Sequence, residues 1–335
     1  MAFTSVTKLY DELVTFTYEK YGHKKVMESV FQGNPLLKFL MSGDRYVPCD
    51  GGTYIVEPVS LVNTVAPSAV DAYDPINVNP SNDATAATFN WAFYARGITV
   101  SEQELAKNSG ESSIIDLVQF KIQHAADSFR DTISQAVYAN VDDSGAPTPL
   151  IGLRYHIADD ASATSIGDIA TSETNWRNQY GTFASLGGSA SFSTSSSGIK
   201  AMRTMLKNCT FGAEVPDLIV VPQDMYTAYE TAVGGTQQTL VPAGLGDLGF
   251  QTLQLSGVPI VFDRHITGAL SSSDGRAYFI NSKHMKLRYH PDWNFKMTES
   301  RSPANALVNT RIIGAMLQTT QDARRLQGVI TSGAA

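Results

Sequence analysis

The stretch SSIIDLVQFKIQHAADSFRDTISQAVY, residues 112–138, decides how the rest of the chain is read. At helical spacing Ile114, Leu117, Val118, Ile122, Ala125, Ala126, Phe129, Ile133, Ala136 and Val137 form one apolar stripe. Asp116, Gln119, Gln123, Asp127, Arg130, Asp131 and Gln135 lie mainly off it. Glu111, Ser112 and Ser113 supply a cap and a negative charge where the helix dipole is positive. Past Asn140, the run Asp142-Asp143-Ser144-Gly145-Ala146-Pro147 forbids continuation. The predicted helix is about 27 residues and so about 40 Å long. A compact domain of about 150 residues has a radius of gyration near 15 Å and a similar diameter of about 40 Å. One helix therefore crosses its whole domain, and Ile114, Leu117, Val118, Ile122, Ala125, Phe129 and Ile133 are its expected core.

Working outward toward the N-terminus, the periodicity changes. Thr53-Tyr54-Ile55-Val56 reads as a strand after Gly51-Gly52, and Thr88 to Ala95 as its return. In the return strand Phe89, Trp91 and Phe93 are expected on one face, with Thr88, Asn90 and Ala92 on the other. Between the strands lie Pro58, Pro67, Pro75 and Pro80, with Asn63, Asn77, Asn79 and Asn82. So long a stretch without regular structure is uncommon in a compact domain unless it has a function or is disordered. As a hairpin of about 20 residues per arm it reaches at most about 65 Å, further than its own domain extends. Tyr54, Ile55, Phe89, Trp91 and Phe93 are therefore candidate contacts to another subunit, although an aromatic stripe of this kind also reads as core. Residues 1–45 look like an arm with two short amphipathic segments, broken at Gly33-Asn34-Pro35. A helical hairpin on the chain's own domain fits them as well.

C-terminal to the helix, Leu150 to His156 reads as a strand, and Ser185 to Ser197 as a low-complexity surface loop. Residues 199–282 have their own rhythm: a helix through Ile199, Met202, Met205 and Leu206, then the apolar strand Leu218-Ile219-Val220-Val221. A second helix opens at Pro222, and strands follow at 258–263 and 276–281. This order predicts an α/β module with a mixed sheet. His284 to Tyr289, Trp293 to Met297, Val308 to Gln318 and Leu326 to Thr331 close the chain with strand-like runs.

The composition narrows the function. A chain of 335 residues with 43% hydrophobic and 17% charged residues can bury a large core. A net charge of −7 argues against a protein whose main task is gripping nucleic acid, while leaving room for a local basic patch. No run approaches the roughly 18 apolar residues of a membrane span, and the start lacks the pattern of a signal peptide. Cys49 and Cys209 are the only cysteines and read as free thiols of a reducing compartment. Gly244, Gly246 and Gly249 spell G-x-G-x-x-G, but Phe250 to Leu255 alternates like a strand where a nucleotide site needs a helix. The histidines match no metal spacing, no P-loop or serine-nucleophile motif occurs, and no cofactor is implied. Arg324 and Arg325 read either as salt-bridge partners of the acidic helix face or as contacts to nucleic acid.

The order of arm, long extended loop, crossing helix, α/β module and closing strands resembles the major capsid proteins of tailed bacteriophages with the Hong Kong 97 phage-type fold. The resemblance is also textual. Asn34-Pro35-Leu36-Leu37, Phe39-Leu40, Gly51-Gly52 and Ile55 resemble the arm-to-loop junction. Phe89-Asn90-Trp91, Glu102, Asn108-Ser109-Gly110-Glu111 and Ile115-Asp116-Leu117 resemble the approach to the spine helix. Gly152-Leu153, Trp176 and Arg324-Arg325-Leu326-Gln327-Gly328 fit as well.

That resemblance implies an α+β chain: an N-arm at 1–45, an E-loop at 46–98 and a peripheral domain at 99–198 with its spine helix at 112–138. An axial domain at 199–282 and a return to the peripheral domain at 283–335 complete it. It also implies a non-enzymatic subunit that assembles in the host cytoplasm into pentamers and hexamers of a virion capsid. Implied partners are a scaffolding protein, a portal, in some relatives a cement protein, and packaged double-stranded DNA touched weakly and without sequence preference; no membrane partner is implied. Some relatives cross-link through an E-loop lysine; no lysine lies between Gly51 and Gly97, so a noncovalent shell is expected. An encapsulin-type compartment shell and, from another class, a cofactor-binding α/β enzyme built on 199–282 are the alternatives.

Overall fold

The computed structural model describes residues 34–42, 44–60, 69–71, 84–103, 111–188, 192, 195–233, 253–266, 275–302 and 307–332, with side chains outside the description at 111–120 and 195–196. The first elements are helix α1 (Pro35–Met41), strands β1 (Tyr46–Pro48), β2 (Tyr54–Ser60), β3 (Ala84–Asn90) and β4 (Ala92–Ser101), and the long helix α2 (Glu111–Ala136). Then come α3 (Leu153–His156), β5 (Gln179–Thr182), α4 (Phe183–Gly187), α5 (Ser195–Asn208), β6 (Leu218–Val221) and α6 (Gln223–Val233). The chain ends with β7 (Leu253–Leu255), β8 (Val258–Phe262), β9 (Arg276–Ile280), β10 (Met285–Tyr289), β11 (Lys296–Met297), β12 (Val308–Gln321) and β13 (Gly328–Thr331).

Helix α2 starts at Glu111 and ends within two residues of the predicted stop. Ile122, Ala125, Ala126, Phe129 and Ile133 are buried in the largest core cluster, with Ala92, Ile98 and Val100 of β4 and Ile313, Ala315 and Leu317 of β12. The side chains of Ile114, Leu117 and Val118 lie outside the described residues.

Two sheets flank the helix. In the five-stranded one, β12 is the central strand: it pairs antiparallel with β10, with β11 and, over Val308↔Ser101 to Leu317↔Ala92, with β4. The second is mixed, in the order β5-β13-β9-β6-β8-β7. Its apolar strands are buried on both faces. Leu218 and Val220 of β6 join the core of α2, while Ile219 and Val221 face Met202, Met205 and Met225 of α5 and α6.

The structure corrects four local expectations. Residues 150–156 hold a helical turn, not a strand, because Leu150 N–H donates to Tyr94 Oη and Ile151 N–H to Gln318 Oε1, side-chain acceptors in place of a neighbouring strand. Gly152 makes the turn possible, since a Cβ there would lie 1.8 Å from the Ala139 carbonyl oxygen. The Ser/Gly/Ala run is helical at both ends, 185–187 in α4 and 195–197 in α5. Thr182 and Ser185 close a capping box on α4, and α5 begins at Ser195. Small residues let these helices meet, for a Cβ on Gly187 would lie 2.4 Å from the Ser197 carbonyl oxygen.

The third concerns which sheet two strands join. Strands β5 and β13, expected with the first unit, belong to the second sheet, where β13 pairs parallel with β5 and antiparallel with β9. Val329 and Ile330 are fully buried, so this strand needs a central position. Fourth, Arg324 is a core residue, neither a partner of the acidic helix face nor a surface contact. Arg324 is 1% exposed, donates to His156 O (3.0 Å) and Asn178 Oδ1 (2.8 Å), and is pushed down to about 10 by burial. Arg325 lies over the Phe211 ring at 4.5 Å. The glycine motif at 244–249, residues 1–33 of the arm and most of 61–83 lie outside the described residues.

Candidate assembly surface

Strands β2 and β3 form a two-stranded antiparallel ribbon, in register from Tyr54↔Asn90 to Ser60↔Ala84. Period-two alternation gives it two faces. Ile55, Glu57 and Val59 are buried, while Tyr54, Val56, Pro58 and Ser60 are exposed. The inner face packs Ile55, Val59, Ala87 and Phe89 on Ile151, Ile166, Ile169 and Trp176. A two-stranded ribbon is marginal on its own, so this contact is what holds its root.

Polar bonds fix the register of that contact. Thr88 N–H donates to Gly167 O at 3.2 Å, and the Thr88 hydroxyl donates to Asp168. Gly167 has φ +66°, and a Cβ on it would lie 2.8 Å from Ala87 Cβ, so glycine is required. Glu57, 2% exposed, accepts from Arg288 Nε at 2.7 Å and from Thr320 Oγ1 at 2.9 Å, which ties the ribbon to β10 and β12.

The aromatic stripe is not one face. Asn90 N–H donates to Asp143 Oδ2 (2.7 Å), and its carbonyl accepts from Gln318 Nε2 (2.7 Å). Pairing switches there from β2 to β12, and the alternation changes phase. Phe89 points inward and is 1% exposed, Ala92 is buried, and Phe93 is 46% exposed. Trp91 is half-buried, with its indole N–H on Gly52 O at 3.0 Å. Of the five candidate contact residues, Tyr54 and Phe93 are thus available to a partner, whereas Ile55 and Phe89 are in the chain's own core. Val56, 57% exposed and missed from the sequence, joins Tyr54, Pro58, Ala84 and Ala86 on an apolar outer strip.

Cys49 and Cys209 are free thiols, and burial pushes the Cys209 thiol up. Among the described residues no three His, Cys, Asp or Glu side chains are grouped to hold a metal ion, and no helix is long and apolar enough to cross a membrane. Asp263, 3% exposed, accepts from Tyr138 Oη at 3.0 Å and from the His265 backbone N–H at 2.8 Å, joining the end of α2 to the second sheet.

No family model matches the sequence, and no curated protein matches it. Solved structures do. A chain of the cyanophage A-1(L) capsid asymmetric unit is 15% identical, with 91% of this chain and 94% of that chain covered and a TM-score of 0.67. A chain from the capsid of the native GTA particle is 12% identical over 88% and 90%, with a TM-score of 0.59. A chain of the holo-SrpI encapsulin complex from Synechococcus elongatus PCC 7942 is 10% identical over 90% and 88%, with a TM-score of 0.54. The chain therefore has the fold shared by these capsid and encapsulin shell chains.

Proposed function

We propose that this chain is the major capsid protein of a tailed bacteriophage, of the Hong Kong 97 phage type, and builds an icosahedral shell around double-stranded DNA. One observation carries the reading: the likeness to a phage capsid chain runs over nine-tenths of both molecules, so the whole architecture is matched. In this reading residues 1–45 are the N-arm, the ribbon is the root of the E-loop and α2 is the spine helix. The five-stranded sheet belongs to the peripheral domain, and the six-stranded sheet with α5 and α6 forms the axial domain. The outer strip of the ribbon meets a second copy, and the shell is held without an E-loop lysine. The chain's role is structural, with scaffolding protein and portal as its assembly partners in the host cytoplasm.

Electron microscopy of the purified protein tests the reading. Closed shells or capsomers are expected; a strict monomer under all assembly conditions refutes it. The encapsulin likeness favours a second reading, a compartment shell around protein cargo. Shells isolated from cells that express the native gene neighbourhood decide between the two, nuclease-protected double-stranded DNA supporting the first and enclosed protein the second.

A further inference from the structure

Helix α5 carries Lys200, Arg203 and Lys207 and no acidic residue, whereas α2 and α6 both hold more acids than bases. At 3.6 residues per turn the three cations fall within about 60° of the helix circumference and span about 10 Å of its length. The opposite side of α5, Ala201, Met202, Met205 and Leu206, is buried against the second sheet. Lys200, Arg203 and Lys207 therefore turn to solvent, and all three are exposed. No acid in the first turn offsets the positive end of the helix dipole. The row continues past the other end of the helix, where the exposed Arg325 lies over the Phe211 ring at 4.5 Å.

The folded chain does not neutralise these charges. Among the described residues none of the four forms an ion pair. Glu214, in the turn that follows α5, is held by Lys283. Burial raises the hydroxyls of Tyr226 and Tyr229 on α6; Glu230 adds to the first rise and Arg203 opposes the second, so the acid and the arginine face different side chains. Four cations standing in water on a chain of net charge −7 make a patch opposite in sign to the whole.

We propose that this row binds the phosphates of double-stranded DNA, by charge and without reading bases. Lysine and arginine are the side chains that neutralise phosphates and position a duplex. Cations spaced along an exposed helix face suit the repeated charge of a polymer backbone, one per about 1.7 Å of duplex axis. A lipid surface is a poorer match. The apolar face that such a helix would have to insert is already buried in the chain's own core. The contact is weak, because the rest of the chain is acidic and repels DNA. Binding stands on the row itself; that the row faces the inside of a shell rests on the proposed function.

Fluorescence anisotropy of a labelled duplex of about 30 bp and arbitrary sequence, titrated with the full chain at 50 mM and 200 mM NaCl, tests it. With four phosphates neutralised, affinity is expected to fall about 150-fold between the two salt concentrations. Lys200→Gln with Lys207→Gln should weaken binding at 50 mM at least tenfold and reduce the salt effect to about 12-fold. Its melting curve should match the parent's, since both side chains lie in water. The charge-matched pair Lys296→Gln with Arg301→Gln, exposed residues beside the five-stranded sheet, should leave binding as it is. No binding at 50 mM, equal losses in the two pairs, or a salt effect that Lys200→Gln with Lys207→Gln leaves intact overturns the proposal. A polyglutamate peptide bound as tightly as DNA, or phosphatidylserine vesicles bound in preference to it, does the same. Shell formation is read separately by electron microscopy, so shells without DNA binding overturn this proposal and leave the proposed function standing.

Discussion

Glu57 makes the docking of the ribbon measurable. Its carboxylate is 2% exposed and accepts from Arg288 Nε at 2.7 Å and Thr320 Oγ1 at 2.9 Å. The Arg288 side chain is itself only 18% exposed. Glu57→Ala leaves a mostly buried guanidinium and a hydroxyl without their acceptor. Removing one partner of a buried pair costs about 3–5 kcal/mol. Because Arg288 keeps some access to water, the lower figure of about 3 kcal/mol is expected. Replacing both members by apolar groups, Glu57→Leu with Arg288→Met, should recover most of that loss, since a buried pair and a well-packed apolar pair are often nearly equal. Urea unfolding followed by tryptophan fluorescence suits the question: Trp176 lies under the ribbon, Trp91 at its base, and Trp293 5.2 Å from Phe93. Amide exchange adds position. Exchange should quicken at Thr88 and Asn90, which bond Gly167 and Asp143, before it does in β9. A loss below about 1 kcal/mol with unchanged exchange at Thr88 would show that the pair is solvated and that the ribbon is not anchored here.

Burial, with Arg324 beside it, pushes the His156 imidazole down to about 3, against about 6.5 when free. The unfolded chain then takes up a proton that the folded one refuses, so this share of stability is whole above pH 6.5 and is lost as pH falls toward 3. At pH 5 the loss is about 2 kcal/mol; the urea midpoint of His156→Gln should fall less than the parent's between pH 7.5 and 5, and an equal fall counts against the assignment. Gly152→Ala must displace the Ala139 carbonyl and should cost more than about 3 kcal/mol in thermal or urea unfolding. Gly257→Ala meets no atom within 4 Å at φ +87° and should cost only about 1–2 kcal/mol. Val56→Asp, on the outer strip, should leave stability within about 0.5 kcal/mol of the parent yet stop assembly as seen by electron microscopy; normal shells would remove the strip from the interface.

What could be read from the sequence was what neighbours in sequence dictate. The stripe of α2 repeats every few residues, and Leu218 to Val221 is apolar without a break, so both elements were visible locally. The phase change at Asn90 was not. Its causes are Asp143 and Gln318, 53 and 228 residues away, and no local pattern carries them. Arg324 was misread for a related reason, because exposure is the default for arginine and only the assembled carbonyls of His156 and Asn178 permit its burial. Gly152 looked like one more loop glycine until the Ala139 carbonyl lay against it. On the ribbon, alternation correctly separates Tyr54 from Ile55, but which face turns inward is decided by Ile151, Ile166 and Trp176 far along the chain.

The two faces of the ribbon also make a physical link between stability and assembly. Its inner face is held by an apolar patch and one charged pair, while the outer face leaves Tyr54 and Val56 more than half exposed. Water is a poor environment for that strip, and a second copy laid on it would bury area that the isolated chain cannot bury alone. Contact of this kind would bind only the docked ribbon, so in the proposed shell assembly would pull the root toward its closed state by mass action. The amide of Thr88 reports the closed state directly through its bond to Gly167. In Glu57→Ala, where the root is weakened, exchange at Thr88 should be fast in the free subunit and slow again once shells form. Exchange that stays equally fast in assembled Glu57→Ala would mean that the partner binds elsewhere and that the outer strip contributes nothing to the contact.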